Sequence, residues 1–159
     1  MDLSKAFDCI PHDLLVAKLN AYGFSNDAAT FIYSYLKRRK QSVKINSTEG
    51  SFCTLLSGVP QGSILGPILF NIFINDLLYF IKDANIANFA DDNTIYAGRK
   101  DMKSLTETLE RESEKAINWF VENDMIINPD KFQSIIFGCS KSATDYLELT
   151  IECNSIKTE

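Results

Sequence analysis

An α+β fold, with helices layered on a mostly antiparallel sheet, is predicted by three features of this sequence. Segments with helical spacing alternate with short runs of strand-like polarity. Two apolar runs, "IANFA" and "NTIYAG", bracket an acidic pair as the arms of a hairpin would. A third segment, Asp101 to about Glu122, carries a single apolar stripe (Met102, Leu105, Leu109, Ala116, Phe120) among charges, the pattern of an amphipathic helix.

Taken in order, "PHDLLVAKLNAYGF" sets Leu14, Leu15, Leu19 and Tyr22 at helical spacing and ends on Gly23, which predicts a helix. "SNDAATFIYSYLKRRK" predicts a second, with Ser25 or Asn26 as N-cap and a basic last turn that suits the helix dipole. "QSVKINS" and "SFCTLLS" alternate in polarity around Asn, Ser, Thr and Gly and predict an antiparallel hairpin. The Gly and Pro loop "GVPQGSILGP" then opens a long apolar helix running to about Ile81. Gly66, Pro67, Asn71, Asn75 and Asp76 interrupt that stretch, so it reads as a buried helix and not as a membrane span. The hairpin and the amphipathic helix follow, and "MIINPDKFQSIIFG" and "YLELTIE" close the chain as strands. Trp119 lies beside the apolar stripe and reads as core; the remainder of "MKSLTETLERESEKAINWF" reads as a solvated outer helix. His12, after Pro11, reads as a helix-start residue, and Asn75 and Asp76 as caps or bridges of the apolar helix.

With 159 residues, 45% of them hydrophobic, the chain suffices for one domain with a core. A net charge of −5 argues against a surface that grips nucleic acid unaided, since phosphate binding needs clustered Lys and Arg. Cys9, Cys53, Cys139 and Cys153 are widely spaced and His12 is the single histidine, so neither a zinc site nor a disulfide framework is signalled. No basic, apolar, small-residue leader opens the chain, and an intracellular protein is expected. "LKRRKQ" suits either template phosphates or a solvated helix end.

Asp91 and Asp92 stand side by side in "NFADDNTIY", where like charges raise each other's pKa. Such a pair is relieved by a bound cation, or else it is a solvated turn. Three further segments give it context: "DLSKAFD" (Asp2 to Asp8), "SGVPQGSILGPILFNIFINDL" (Ser57 to Leu77) and "NPDKFQSIIFG" (Asn128 to Gly138). Read in chain order, with "FADD" (Phe89 to Asp92) third, the four segments resemble the palm of a reverse transcriptase of the non-LTR retrotransposon (LINE, jockey-like) type, and the resemblance covers nearly the whole chain.

The resemblance implies a palm-type antiparallel sheet with helices packed on one face, a ferredoxin-like or RRM-like core, incomplete here, so that residues 1–159 form a partial reverse transcriptase domain. It implies RNA-directed DNA polymerase activity on an RNA template, a DNA primer and deoxynucleoside triphosphates, in the host cytoplasm and nucleus and away from membranes. Two Mg²⁺ ions, for which Mn²⁺ can substitute, would be held by Asp2 and Asp91, with Asp92 contributing. Nucleotidyl transfer uses such an ion pair, about 4 Å apart, to activate a hydroxyl and neutralise a triphosphate, and magnesium prefers oxygen ligands. Phe7 would lie under the incoming sugar and exclude a 2′-hydroxyl, or serve as a core aromatic. Gln61 and Gly62 would line the nucleotide pocket, or form a plain Gly-Pro turn. Lys131 would stabilise the leaving pyrophosphate or donate a proton to it, or be a surface lysine without a role.

The family also implies an apolar strand ahead of the first Asp, basic fingers, a primer grip, a thumb and often an endonuclease. The expectation is a truncated palm, with Asp2 on a fraying terminus and no polymerisation by the chain alone. The alternative is a non-catalytic relic, inactive or acting only as an interaction module.

Overall fold

In the computed structural model of the chain, residues 1–137 are described. Chain order runs β1 (Asp2–Ser4), α1 (Ala6–Cys9), α2 (His12–Ala21), α3 (Asn26–Lys37), β2 (Lys40–Gln41), β3 (Lys44–Ile45), β4 (Thr48–Glu49) and β5 (Cys53–Thr54). It continues through α4 (Leu65–Ile74), a 3-10 helix (Asn75–Tyr79), β6 (Asn85–Phe89), β7 (Asp92–Tyr96), α5 (Met102–Glu122), β8 (Ile126–Asn128) and a 3-10 turn at Pro129–Lys131. The mixture of helix with small antiparallel sheets bears out the α+β expectation. Two units divide it: residues 5–75 form one, and residues 1–4 with the chain from Asp76 onward form the other.

In the unit that begins at Asp76, four antiparallel strands lie in the order β6-β7-β1-β8. β1 is only three residues long, yet it is interior: Asp2 opposes Asp92 on one side and Asn128 on the other, and Leu3 opposes Ile127. A strand with a ladder on both sides has few unpaired backbone groups left to fray, so the expectation of a loose Asp2 terminus is not met by the backbone pairing. α5 packs against β7 and β8. It presents Ala116, Ile117, Trp119 and Phe120 to the interior, with the last two rings edge to face at 5.4 Å.

Both ends of α5 follow from its sequence. The Asp101 carboxylate accepts from the Ser104 N–H at 2.8 Å, a side-chain N-cap. At the other end Asp124 takes the left-handed conformation (φ 56), and the Met125 and Asp124 N–H groups return to the Phe120 and Val121 carbonyls. That is a Schellman closure made without glycine.

The residues 5–75 unit is helical, with α2 packed against α3 and α4 over Leu15, Leu19, Ala29, Leu69, Phe70 and Phe73. Ser25 is the N-cap of α3, its hydroxyl accepting from the Ala28 N–H. His12 does start α2, and Trp119 is core, 2% exposed. Lys18 is buried and donates to the Phe73 carbonyl at 2.9 Å in the last turn of α4, where the helix dipole is negative.

Four expectations are revised. The hairpin of "QSVKINS" with "SFCTLLS" reduces to a two-residue ladder, β2 with β5, and β3 pairs with β4 inside it. All eight of these strand residues are exposed, and without a buried face nothing fixes a longer register. The apolar helix ends at Ile74 and continues as the 3-10 helix to Tyr79, where the apolar run meets Asn75 and Asp76, residue types disfavoured in a helix interior. The strand in "MIINPDKFQSIIFG" stops at Asn128, since Pro129 has no N–H to extend a ladder. The strand expected in "YLELTIE", along with Cys139 and Cys153, lies outside the described residues. Among those described, Cys53 is a free thiol, and no helix is long and apolar enough to cross a membrane.

The fourth revision concerns the "solvated" helix α5, which buries Glu112 completely. Its carboxylate accepts from the Lys82 N–H (2.8 Å), the Asp83 N–H (3.3 Å), Lys115 Nζ (2.6 Å) and Arg111 Nε (3.4 Å). Burial alone would raise its pKa, but the Lys115 hydrogen bond, the two backbone N–H bonds and the Lys115 charge together lower it from 4.5 to about 2. A carboxyl lowered on folding stabilises the fold above its ordinary value and loses that contribution as pH falls through the folded one. Urea unfolding should therefore show stability falling between about pH 5 and pH 2. Glu112→Gln should flatten that slope and lower stability at neutral pH; a slope equal to the parent's would remove Glu112 from the acid response.

Candidate active site

Two clusters contain the residues singled out from sequence, one in each unit. In the sheet unit, Phe89 and Asp92 close the β6–β7 hairpin, leaving Ala90 and Asp91 as a two-residue turn. Ala90 adopts φ 54, which two-residue hairpin loops require but which a residue with a Cβ adopts at a cost of about 1 kcal/mol. Asp91 is half-buried and Asp92 is exposed. Asp2, placed by its backbone, is the direct cross-strand partner of Asp92, and such partners have Cα atoms about 4.5–5.5 Å apart.

Asn93, fully buried, fastens this corner. Its N–H donates to the Met1 carbonyl at 3.0 Å, its carbonyl accepts from the Met1 nitrogen at 2.6 Å, and its Nδ2 donates to the Asp91 carbonyl at 3.0 Å. The strand bearing Asp2 and the turn bearing Asp91 are thus tied through one residue. Its Oδ1 is a buried acceptor without a hydrogen-bond donor. Lys131 is exposed and sits in the 3-10 turn three residues beyond Asn128, the other cross-strand partner of Asp2. Among the described side chains no three His, Cys, Asp or Glu groups stand together as a metal cluster. The donors the hairpin offers are carboxylate oxygens, the hard ligands that magnesium prefers.

In the helical unit, the loop Ser57–Gly62 is stitched onto the segment Phe7–His12. The Gly58 and Val59 N–H groups donate to the Ile10 and Phe7 carbonyls at 2.8 and 2.7 Å. Ser57 Oγ donates to the Asp8 carbonyl at 2.8 Å. The Gly58 carbonyl accepts from both His12 Nε2 and Arg39 Nη1, each at 2.9 Å, so the His12 tautomer must carry its proton on Nε2. Gly58 has φ +83, and a Cβ on it would lie 2.7 Å from the Asp8 Cα. Only glycine permits this approach. Gly62 also has positive φ (+76), but into open space.

Phe7 and Gln61 both ride on this frame. The Phe7 ring is half-exposed and stacks on the fully buried Phe70 of α4, centroids 4.6 Å apart. Gln61 is exposed, and its Nε2 donates to both Asp8 carboxylate oxygens at 3.1 Å. Of the "LKRRKQ" cations, Arg39 is turned onto the Gly58 carbonyl, and Lys37 Nζ donates to the Tyr33 hydroxyl. Sequence reasoning missed Asp8, Ser57, Gly58, Arg39 and Asn93 as parts of these clusters, and it saw in His12 only the helix start. The one available signal was that Ser57 and Gly58 open the same Gly-Pro loop and that Asn93 directly follows the Asp pair.

The chain belongs to the reverse transcriptase (RNA-dependent DNA polymerase) family, which matches residues 1–151. It is 27% identical over 145 residues to the RNA-directed DNA polymerase from mobile element jockey of Drosophila melanogaster, covering 87% of this chain and 16% of that protein. The corresponding jockey protein of Drosophila funebris is 28% identical over 144 residues, 86% of this chain and 16% of that one. A retrovirus-related Pol polyprotein from the type-1 retrotransposable element R2 of Popillia japonica is 26% identical over 149 residues, 85% of this chain and 23% of the polyprotein. The chain therefore spans less than a quarter of the length of these relatives.

The two glycines should separate in their response to a methyl group. Gly58→Ala meets both positive φ and backbone overlap and should cost roughly 2–4 kcal/mol, whereas Gly62→Ala meets positive φ alone and should cost about 1–2 kcal/mol. Urea denaturation of both variants gives the comparison; equal costs would mean the loop is not held against Asp8.

Proposed function

We propose that this chain is the palm of an RNA-directed DNA polymerase that adds deoxynucleotides to the 3′-hydroxyl of a DNA primer on an RNA template, within a longer polypeptide of a non-LTR mobile element. The observation that carries the reading is the register of Asp2 opposite Asp92, with Asp91 in the adjoining turn, in a chain of this family. Asp2 and Asp91, with Asp92 contributing, would hold two Mg²⁺ ions, for which Mn²⁺ can substitute. When bound, such ions supply Lewis acidity toward the attacking hydroxyl and charge neutralisation at the triphosphate.

The chain's own residues supply placement and charge. Gln61 and Gly62 line the nucleotide site, Gly62 allowing the backbone to approach the ligand closely. Phe7, braced by Phe70, presents a flat ring beneath the sugar and excludes a 2′-hydroxyl. The structural and functional readings of Phe7 thereby merge, since the stack that buries one face fixes the other. Lys131 offers a positive charge and a proton to the departing pyrophosphate. Fingers, thumb and endonuclease segments would come from the rest of a polypeptide of the relatives' length.

The test is primer extension on an RNA template with Mg²⁺, comparing the 159-residue chain with a longer polypeptide that carries it between its flanking coding sequence. Activity is expected from the longer polypeptide, and Asp91→Asn or Asp2→Asn in it should reduce extension by orders of magnitude without altering thermal melting, with Asp92→Asn less severe. Full activity in Asp91→Asn would remove that carboxylate from the chemistry, and a longer polypeptide without activity would favour a relic. Phe7→Ala should raise ribonucleotide incorporation relative to deoxynucleotide; an unchanged ratio would return Phe7 to a packing role alone.

A further inference from the structure

Three separate contacts of the Ser57–Gly62 loop converge on Asp8, a residue outside the metal-ligand set. Ser57 Oγ holds its carbonyl, Gly58 lies against its Cα, and Gln61 Nε2 reaches both oxygens of its carboxylate. The backbones at both ends of the Asp8–Gln61 hydrogen bond are thus fixed before the side chains meet, by the Gly58–Ile10 and Val59–Phe7 hydrogen bonds at 2.8 and 2.7 Å. Ordering two exposed side chains normally costs rotamer entropy. Here a rigid frame has already brought them within reach.

The chemistry of the pair then decides how the glutamine faces. A carboxylate offers acceptors only, and an amide has a donor end and an acceptor end. With Nε2 held by Asp8, the Gln61 Oε1 must point the other way. An unheld glutamine would present either end to a ligand; this one presents an acceptor.

We propose that Asp8 is a positioning residue that locks the Gln61 amide with its nitrogen inward, so that Gln61 offers a carbonyl oxygen to a hydroxyl or N–H donor of the incoming nucleotide. The inference rests on the polymerase reading of the Gln61 site and deepens it. Asp8 touches neither metal nor substrate in this scheme; it sets the polarity of a residue that does.

The experiment is steady-state primer extension by the longer polypeptide, joined to side-chain amide NMR of the same protein labelled with ¹⁵N-glutamine. Loss of one oriented hydrogen bond corresponds to about a fivefold effect. Asp8→Ala should raise the KM for a deoxynucleoside triphosphate by about that factor, well beyond any fall in kcat, and should move the Gln61 Nε2H₂ signals toward those of free glutamine. Asp8→Asn keeps an acceptor for Nε2 and should restore most of the affinity. In a Gln61→Ala background, Asp8→Ala should have no further effect on KM. Additive effects of the two substitutions, a KM unchanged in Asp8→Ala, or a Gln61 amide signal indifferent to Asp8 would each overturn the inference while leaving the polymerase reading intact. A polypeptide that extends no primer would overturn both.

Discussion

The sheet depends on the pairing of β1, three residues that carry ladders on both flanks. Remove them and β7 and β8 have no common neighbour, because the strand order places β1 between them. The hydrogen bonds at Met1 and Asn93 extend that dependence to the acidic turn, since the same Asn93 that pairs with Met1 also holds the Asp91 carbonyl. The backbone positions of Asp2 on the interior strand and of Asp91 in the adjoining turn are thereby set by one ladder. On the proposed polymerase reading such ladders would suit catalysis by positioning, in which an error of about 1 Å can cost on the order of a hundredfold.

The helical unit solves a similar problem by close approach. Its loop has almost no apolar side chain to bury except Val59, so packing alone could not hold it. Instead it uses a glycine pressed onto the Asp8 backbone and a carbonyl that accepts two donors, one from a buried histidine. Val59, fully buried, then anchors the loop between its polar ties. The result is a short segment whose exposed residues, Gln61 and Gly62, stand on a fixed base.

How much of this was legible beforehand follows from the range of the signals. The N-cap of α5 at Asp101, the terminator of α2 at Gly23 and the cap of α3 at Ser25 are local, and each sits where its residue type predicts. The acidic hairpin was legible because an acidic pair between two apolar runs needs only neighbours to be understood. Glu112 was not, because a glutamate beside Arg111 and three residues before Lys115 looks like an ordinary solvated helix face. Its burial is decided by the Lys82–Asp83 backbone, 29 and 30 residues away. Asp8 and Gln61 are 53 residues apart, and no periodicity joins them. The Schellman turn at Asp124 was hidden for a different reason: the left-handed position is filled by aspartate where glycine is the usual sign.

Charge links the two halves of the functional reading. A chain with net charge −5 repels a triphosphate and an RNA template at long range. The basic run Lys37–Lys40 is a local exception, although Arg39 is turned onto the Gly58 carbonyl and Lys37 onto the Tyr33 hydroxyl. On the proposed polymerase reading, attraction would come from the rest of the longer polypeptide together with divalent cations drawn to the acidic hairpin, whose carboxylates are the hard oxygen donors that such ions prefer. On the same reading such a cation would also offset the repulsion between the adjacent Asp91 and Asp92. The acidic character of the chain and the adjacency of Asp91 and Asp92 would thus, on that reading, call for the same counter-charge.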